Sequence, residues 1–345
     1  MISAKSYAAF EESGPLGPYP LERRDPGPND VVIDIHYSGI CHTDIHFVAN
    51  ELGFCTYPLV PGHEIAGVVE AVGSAVTKYS VGDKVGVGCL VNSCRTCANC
   101  GDDLEQYCPG GVYTYAGTDV DGSTTQGGYS TKVVVNQDFV LSIPDGIGLD
   151  TAAPLLCAGI TTYSPLRTWN VTKGTKVAVV GLGGLGHMAV KLAAAMGAEV
   201  TVISTSEKKR EDAKRLGATG FIISSNADEM AAAANTFDLI LNTVSAATIV
   251  NDQVGLLARD GTLVLLGIVT SPIPVASLPL IFGRRRIAGS LIGGIKETQE
   301  MLDFCGEHGI GADVEVINAD EINTAYERML KSDVRYRFVI DVKSM

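Results

Sequence analysis

The stretch from Gly39 to Gly67 concentrates the residues best able to do chemistry. It opens with Cys41-His42-Thr43-Asp44-Ile45-His46 and closes with Gly62-His63-Glu64-Ile65-Ala66-Gly67. Thiol, imidazole, carboxylate and hydroxyl groups therefore fall in one folding unit. Cysteine and neutral histidine bind zinc readily, and a catalytic zinc takes three protein ligands with a fourth position left open. Cys41 and His63 can supply two of them. The leading candidate for the third is Cys157, in Pro154-Leu155-Leu156-Cys157-Ala158-Gly159. Taken alone, these residues also fit a buried cysteine and a core histidine.

Cys94, Cys97, Cys100 and Cys108 form a tighter group, with the spacing C-x2-C-x2-C-x7-C. Four thiolates so placed can close a tetrahedron around one zinc without reaching across the fold. A closed site has no room for water, so its role is to hold an irregular loop in shape. The same spacing also suits an iron–sulfur cluster.

Gly181-x-Gly183-x-x-Gly186 is a weak signal by itself. Its flanks strengthen it: an apolar run, Val177 to Val180, before it and a helical pattern from Leu185 to Met196 after it. Such glycines let a turn tighten and a pyrophosphate approach the helix N-terminus, where backbone N–H groups and the dipole favour an anion. Binders of the unphosphorylated dinucleotide place an acid at the end of the next strand for the ribose hydroxyls. Here Ile203-Ser204-Thr205-Ser206-Glu207-Lys208-Lys209-Arg210 puts small hydroxyls there and cations within one turn. That favours NADP, with Glu207 turned away as a first-turn helix residue. A solvated helix face is the plainer reading of Lys208 and Arg210, and His187 has no assigned chemistry.

The elements that must position these groups change character midway. Val31 to Ser38, Val68 to Val72, Lys84 to Val87 and Lys132 to Val135 read as short strands punctuated by turn residues. Residues 1 to about 150 thus form a β-rich domain with a long irregular insert, roughly 92 to 126. Beyond Leu149 strands and helices alternate, which means a parallel sheet wound with crossovers. From about Lys296 a helix, Thr298 to His308, and a final strand, Phe338 to Val342, are expected to return to the first domain.

At 345 residues the chain is too long for one comfortable core and points to two domains. The net charge of −13 argues against nucleic acid or an anionic membrane as partner. No apolar run is long enough for a membrane span, and Met1 to Gly14 shows no signal-peptide pattern, so a cytoplasmic location is expected. Nine cysteines, an odd number with four packed together, point to metal rather than disulfides.

With these pieces assembled, the chain resembles the zinc-dependent medium-chain alcohol dehydrogenases, specifically their cinnamyl-alcohol-dehydrogenase branch, over essentially its whole length. The resemblance is carried by Gly39-Ile40-Cys41-His42-Thr43-Asp44, Pro61-Gly62-His63-Glu64, the four-cysteine loop, Cys157 to Leu166 and Gly181 to His187. Ser290 to Gly294 and Lys296 to Glu300 extend it. It implies an α/β protein: a groES-like, β-rich catalytic domain over 1–157 and 296–345, and a Rossmann doubly wound parallel sheet over 158–295 that binds NADP. The active site would lie in the cleft between them.

The resemblance further implies a catalytic zinc on Cys41, His63 and Cys157, with Glu64 close behind it and Asp44 orienting His63. Cys94, Cys97, Cys100 and Cys108 would hold a structural zinc, making two zinc ions per chain. Hydride would pass between the nicotinamide and an alcohol or aldehyde, with the proton travelling through Thr43, the cofactor ribose and His46. Thr161 would touch the nicotinamide, and Ser204, Thr205, Ser206 and Lys209 the 2′-phosphate. Gly181, Gly183, Gly184, Leu185, Gly186, Thr243, Gly267 and Ser290 would complete the cofactor contacts. A homodimer is expected.

One departure is visible. Plant members of the branch carry Trp shortly after the fourth cluster cysteine, where this chain has Tyr113. That implies a broad range of aldehydes rather than strict preference for lignin precursors. Cys55 and Cys89 read as small packing residues or pocket lining, and Cys305 as structural. Arg284-Arg285-Arg286 reads as a solvated face or a phosphate site. The alternatives kept open are a polyol or secondary-alcohol dehydrogenase of the same architecture and a non-catalytic protein that binds zinc and nucleotide.

Overall fold

The computed structural model describes residues 1–119, 121–245, 250–269 and 271–345. The chain divides into two compact units, Met1–Ile160 with Gly293–Met345, and Thr161–Ile292.

The first unit is built on a mixed sheet whose centre is the strand Asp30–Gly39. Ile65–Val72 pairs with it antiparallel, and Lys84–Val87 and then Leu141–Ser142 extend that side. Lys132–Asn136 pairs along its first half, and the C-terminal strand Arg337–Asp341 along its second. The register Val339↔Gly39 and Ile340↔Ser38 fastens the end of the chain beside the turn that leads to Cys41. Val31, Ile33 and Ile35 are almost fully buried, as are Phe338, Val339 and Ile340, so the central strands hold the unit's core.

The insert from 92 to 126 carries little regular structure. A hairpin of Leu90–Asn92 with Val112–Tyr113, a short helix, Ala98–Gly101, and a 3-10 turn, Glu105–Tyr107, are its main elements, and position 120 lies outside the described residues. A segment with so few apolar residues to bury needs another constraint to stay in one shape.

The second unit is a six-stranded parallel sheet in the order Gly220–Ile223, Glu199–Ser204, Lys176–Val180, Phe237–Asn242, Leu257–Leu265, Arg286–Gly289. Numbered along the chain this is 3-2-1-4-5-6, the Rossmann order. Ala178, Val180, Ile203, Ile240 and Leu263 from adjacent strands pack with Val250, Val254 and Leu256 into one apolar cluster. Because all six strands are parallel, their carboxyl ends emerge on the same edge, where open α/β sheets bind ligands. Among the described residues no helix is long and apolar enough to cross a membrane.

Candidate active site

The strand Asp30–Gly39 delivers the chain to Cys41, which begins the helix His42–Val48 from an extended backbone conformation. Asp44 completes a capping box there, its Oδ2 accepting from the Cys41 backbone N–H at 2.8 Å. Its other oxygen, Oδ1, lies 3.2 Å from His63 Nδ1 and accepts from the Gly62 N–H at 3.2 Å. One buried carboxylate thus aligns two candidate ligands from segments about twenty residues apart, and leaves His63 Nε2 for a metal. Although burial opposes it, Asp44 holds the His63 imidazole well above its ordinary pKa.

Cys157 arrives from the end of a buried 3-10 turn, Ala153–Leu156, just before the helix Ala158–Thr168. Its Sγ lies 4.0 Å from Cys41 Sγ. Two thiolates on a tetrahedral zinc with 2.3 Å bonds would stand about 3.8 Å apart. One ligand atom each from Cys41, His63, Glu64 and Cys157 lie within 4.8 Å of one another, and all four residues are buried. The hydrogen bond from Cys157, followed by the proximity of His63, holds the Cys41 thiol well below its ordinary range.

Glu64 is fully buried and shares an ion pair with Arg337, whose guanidinium also donates to the Ile40 carbonyl at 2.8 Å. Gly39 makes room for it: a Cβ there would stand 2.0 Å from Glu64 Oε2. Burial pushes the Glu64 carboxyl up to about 8 against the pull of Arg337. Oε2 itself finds no hydrogen-bond partner among the described residues. An orphaned acceptor beside two thiols and an imidazole is costly unless a cation comes to it, so the donor set fits zinc.

Thr43 Oγ1 is 3.6 Å from Cys41 Sγ. One turn further along the same helix, His46 Nδ1 is 2.8 Å from Glu51 Oε2, while its Nε2 is buried without a partner among the described residues. Arg337 and Glu51 were not anticipated from sequence. The signal for Arg337 was a charge directly before the apolar run Phe338 to Ile340; Glu51 sits five residues from His46 and could have been read as its partner.

The second cluster gathers all four of its cysteines. Sγ of Cys97 and Cys100 are 3.6 Å apart, and those of Cys94 and Cys100 are 4.0 Å apart. Cys108 Sγ accepts from the backbone N–H of Cys94 at 3.4 Å and of Gly110 at 3.3 Å. The N–H groups of Thr96 and Cys97 bring the Cys94 thiol down to about 6. Backbone donors that favour thiolates suit a closed metal site, and here too the residues fit zinc.

In the second unit, Gly181 follows Val180 with φ of +89°, a conformation that favours glycine. A Cβ on Gly186 would stand 2.1 Å from the Gly181 carbonyl, whereas one on Gly183 would meet open space. The helix Gly184–Ala195, which includes Leu185, begins without a side-chain cap. Tight helix–strand packing and a bare N-terminus facing open space fit a dinucleotide pyrophosphate. His187 is fully buried, with Nδ1 2.7 Å from the Gly184 carbonyl.

Ser204, Thr205 and Ser206 lie at the carboxyl end of the next strand, with Ser204 Oγ accepting from the Ser206 N–H at 3.2 Å. Glu207 is committed to Arg210, whose guanidinium lies 4.6 Å from the Phe221 ring centroid. The acid therefore turns away from the serines. Lys209 does more than expected: its Nζ donates to the Leu182 carbonyl at 2.6 Å, tying this turn to the glycine-rich loop. Thr243, Gly267 and Ser290 follow the carboxyl ends of the fourth, fifth and sixth strands, and Thr243 Oγ1 donates to the Val180 carbonyl at 2.9 Å. Thr161 is buried at the start of the unit.

Arg284 to Arg286 stand at the opposite edge, where the last strand begins. Arg284 pairs with Asp260, Arg286 donates to the Asp260 carbonyl at 2.9 Å, and Arg285 binds Asn235. Their place and partners favour the solvated face over the phosphate site. Cys305 is fully buried beside Met301, Cys55 is half-buried, and the Cys89 thiol adjoins Cys157. Tyr113 is 45% exposed in its short hairpin.

Comparison with known proteins agrees with this geometry. Residues 27–145 match the alcohol dehydrogenase GroES-like domain and 184–307 the zinc-binding dehydrogenase family. NADP-dependent alcohol dehydrogenase C 1 of Mycolicibacterium smegmatis is 58% identical over 347 residues, covering 100% of this chain and 99% of that protein. A cinnamyl alcohol dehydrogenase from Sorghum bicolor, SbCAD4, superposes with a TM-score of 0.97 at 50% identity, covering 99% of this chain and 98% of the other. The crystal structure of CAD from Helicobacter pylori complexed with NADP(H) gives a TM-score of 0.94 at 44% identity, with 99% of both chains covered.

The chain belongs to the zinc-dependent medium-chain alcohol dehydrogenases, with a GroES-like domain and a Rossmann domain. It is an NADP-dependent oxidoreductase that interconverts alcohols and aldehydes, and its cofactors are zinc and NADP.

Proposed function

We propose that this enzyme reduces a broad range of aldehydes, aromatic ones included, to primary alcohols with NADPH, and catalyses the reverse oxidation. The observation that carries the reading is the buried Cys41, His63, Glu64 and Cys157 cluster, with its orphaned carboxylate oxygen and its Asp44 clamp. Cys41, His63 and Cys157 are the ligands of a catalytic zinc, with Glu64 behind them; Cys94, Cys97, Cys100 and Cys108 hold a second, structural zinc. When bound, zinc supplies Lewis-acid polarisation of the substrate oxygen and NADPH supplies the hydride.

The remaining work belongs to the chain. Thr43 offers its hydroxyl to the substrate oxygen as a proton donor in reduction and an acceptor in oxidation. His46 exchanges that proton, its Nδ1 anchored by Glu51 and its buried Nε2 without a partner among the described residues; histidine is the side chain that changes charge most readily near neutral pH. Gly181, Gly183, Gly184, Leu185 and Gly186 cradle the pyrophosphate. Ser204, Thr205, Ser206 and Lys209 take the 2′-phosphate, and Thr161, Thr243, Gly267 and Ser290 complete the cofactor site. The half-exposed Tyr113 in place of tryptophan supports breadth towards aliphatic as well as aromatic aldehydes. A cytoplasmic homodimer without nucleic-acid or membrane partners completes the reading, in keeping with the acidic charge balance.

The deciding experiment is a panel of aromatic, allylic, short aliphatic and polyol-derived carbonyl substrates assayed with NADPH. Comparable specificity constants across aromatic and aliphatic aldehydes are expected. Confinement of activity to ketones or polyols would replace this reading with the secondary-alcohol or polyol one.

A further inference from the structure

Asp44 has more around it than its role beside His63 requires. Four donors converge on the one carboxylate: the N–H groups of Cys41 and Gly62, His63 Nδ1, and the Tyr129 hydroxyl, which reaches Oδ2 at 3.2 Å. Tyr129 has no exposed surface, and the hydroxyl of Tyr326 lies 3.4 Å from its own. A carboxylate can only accept when ionised. The Tyr129 proton is therefore committed to Asp44, and Tyr326 must donate to Tyr129. The direction of the chain is fixed: Tyr326 to Tyr129 to Asp44.

A third tyrosine provides the contrast. Tyr115 is 3% exposed, and its ring stacks on His63 with centroids 5.7 Å apart. Its hydroxyl is buried beside Asp44, which with burial pushes it well above its ordinary range, yet it lacks the geometry of a hydrogen bond to any described residue. A carboxylate offers about four acceptor sites, and the four donors named above fill them. The Tyr115 hydroxyl is the donor left over.

We infer that Tyr129 and Tyr326 are positioning residues for the metal centre, holding Asp44 and through it Cys41 and His63 in ligating geometry, whereas the Tyr115 hydroxyl, though beside Asp44, does not hold it in place. Tyr326 comes from the helix Ile322–Leu330, in the segment that returns to the first unit. That segment also supplies Arg337 to Glu64, so the last fifty residues brace both carboxylates of the site. Hydrogen-bonding partners behind a metal ligand typically change metal affinity by about 10- to 100-fold when removed.

The inference rests on the assignment of zinc to Cys41, His63 and Cys157, and its test separates the two. The zinc holoenzyme is challenged with a chromophoric zinc chelator and the release phases are followed. The catalytic phase is the one that disappears in Cys157→Ala, and the phase that remains serves as an internal reference. Tyr129→Phe is expected to speed the catalytic phase about tenfold, and Tyr326→Phe, one hydrogen bond further out, by a smaller but measurable factor. Tyr115→Phe is expected to leave that phase unchanged, and all three to leave the reference phase unchanged.

Catalytic release within experimental error of wild type in both Tyr129→Phe and Tyr326→Phe would overturn the inference. So would a Tyr115→Phe protein that releases metal as fast as Tyr129→Phe, since packing rather than the hydroxyl chain would then be responsible. Should Tyr129→Phe fail to fold, Tyr326→Phe decides alone. A wild-type enzyme with no release phase that depends on Cys157 would overturn the metal assignment itself, and this inference with it.

Discussion

Thr43 and Lys209 each carry a duty that a single atom decides. Replacing Thr43 by Val keeps the shape and removes the hydroxyl beside Cys41 Sγ. Zinc content should be unchanged, while turnover falls by about 10²–10⁴-fold where proton transfer limits the rate, the usual worth of a positioned acid–base group. Elemental analysis beside solvent-isotope kinetics checks this; turnover within a factor of about two of wild type would remove Thr43 from the relay. At the cofactor end, two charge-assisted contacts of about 1.5 kcal/mol each predict roughly a hundredfold preference for NADPH over NADH in specificity constant. Ser204→Asp should move that preference towards NADH, by repelling the 2′-phosphate and offering an acceptor to the ribose hydroxyls. Lys209→Ala would be expected from sequence to spare NADH. The bond from Lys209 Nζ to the Leu182 carbonyl changes that expectation: binding of both cofactors should weaken, NADPH by the larger factor, as read by fluorescence titration. Unaltered NADH affinity would show that the tie to the loop contributes nothing.

The cysteine loop is the element whose stability depends most on its metal. Polar contacts tie it to the rest of the unit: Glu105 Oε2 accepts from the Ile295 N–H at 3.0 Å, Lys296 Nζ reaches Asp103 at 2.8 Å, and Arg95 pairs with Asp138 at 2.5 Å. Gly294 lies so close that a Cβ there would meet the Asp103 carbonyl at 2.0 Å. The loop therefore packs against the start of the helix Ile295–His308, and its shape is felt there. Structural zinc contributes folding free energy directly. Cys97→Ser should lower the midpoint of thermal unfolding by roughly 10 °C, the effect of about 3 kcal/mol on a domain of this size. Hydrogen exchange should rise in residues 92–119 and at the first turn of that helix together. An unchanged midpoint, or exchange that rises in the loop alone, would show that the loop holds its shape without metal.

At the scale of the whole molecule, the second unit leaves an apolar face uncovered. In the helix Ser277–Gly283, Leu278 is 61% exposed, Ile281 67% and Phe282 85%, and the nearby strand Arg286–Gly289 is at the end of the sheet. Exposed apolar clusters beside an unpaired strand edge mark places where another chain binds, and a second copy related by a two-fold axis would meet the same patch on its partner. Phe282→Asp should convert a dimer to a monomer in light scattering; a wild-type protein that is monomeric at micromolar concentration would rule the dimer out. The sites legible from the chain alone are those that short separations encode. The four cysteines within fifteen positions, the glycine turn between a buried strand and a helix, and Cys41 with His63 flanking one strand pair need only local folding to become sites. Which residues meet across the sheet depends instead on strand pairing. Arg337 reaches Glu64 across 273 residues because Val339 pairs with Gly39, and Tyr326 reaches Tyr129 because the same return packs its helix against the core. Lys209 meets Leu182 because the first two strands of the parallel sheet end side by side. No spacing in the chain reports such neighbours, since strand pairing brings together residues whose separation along the sequence is arbitrary.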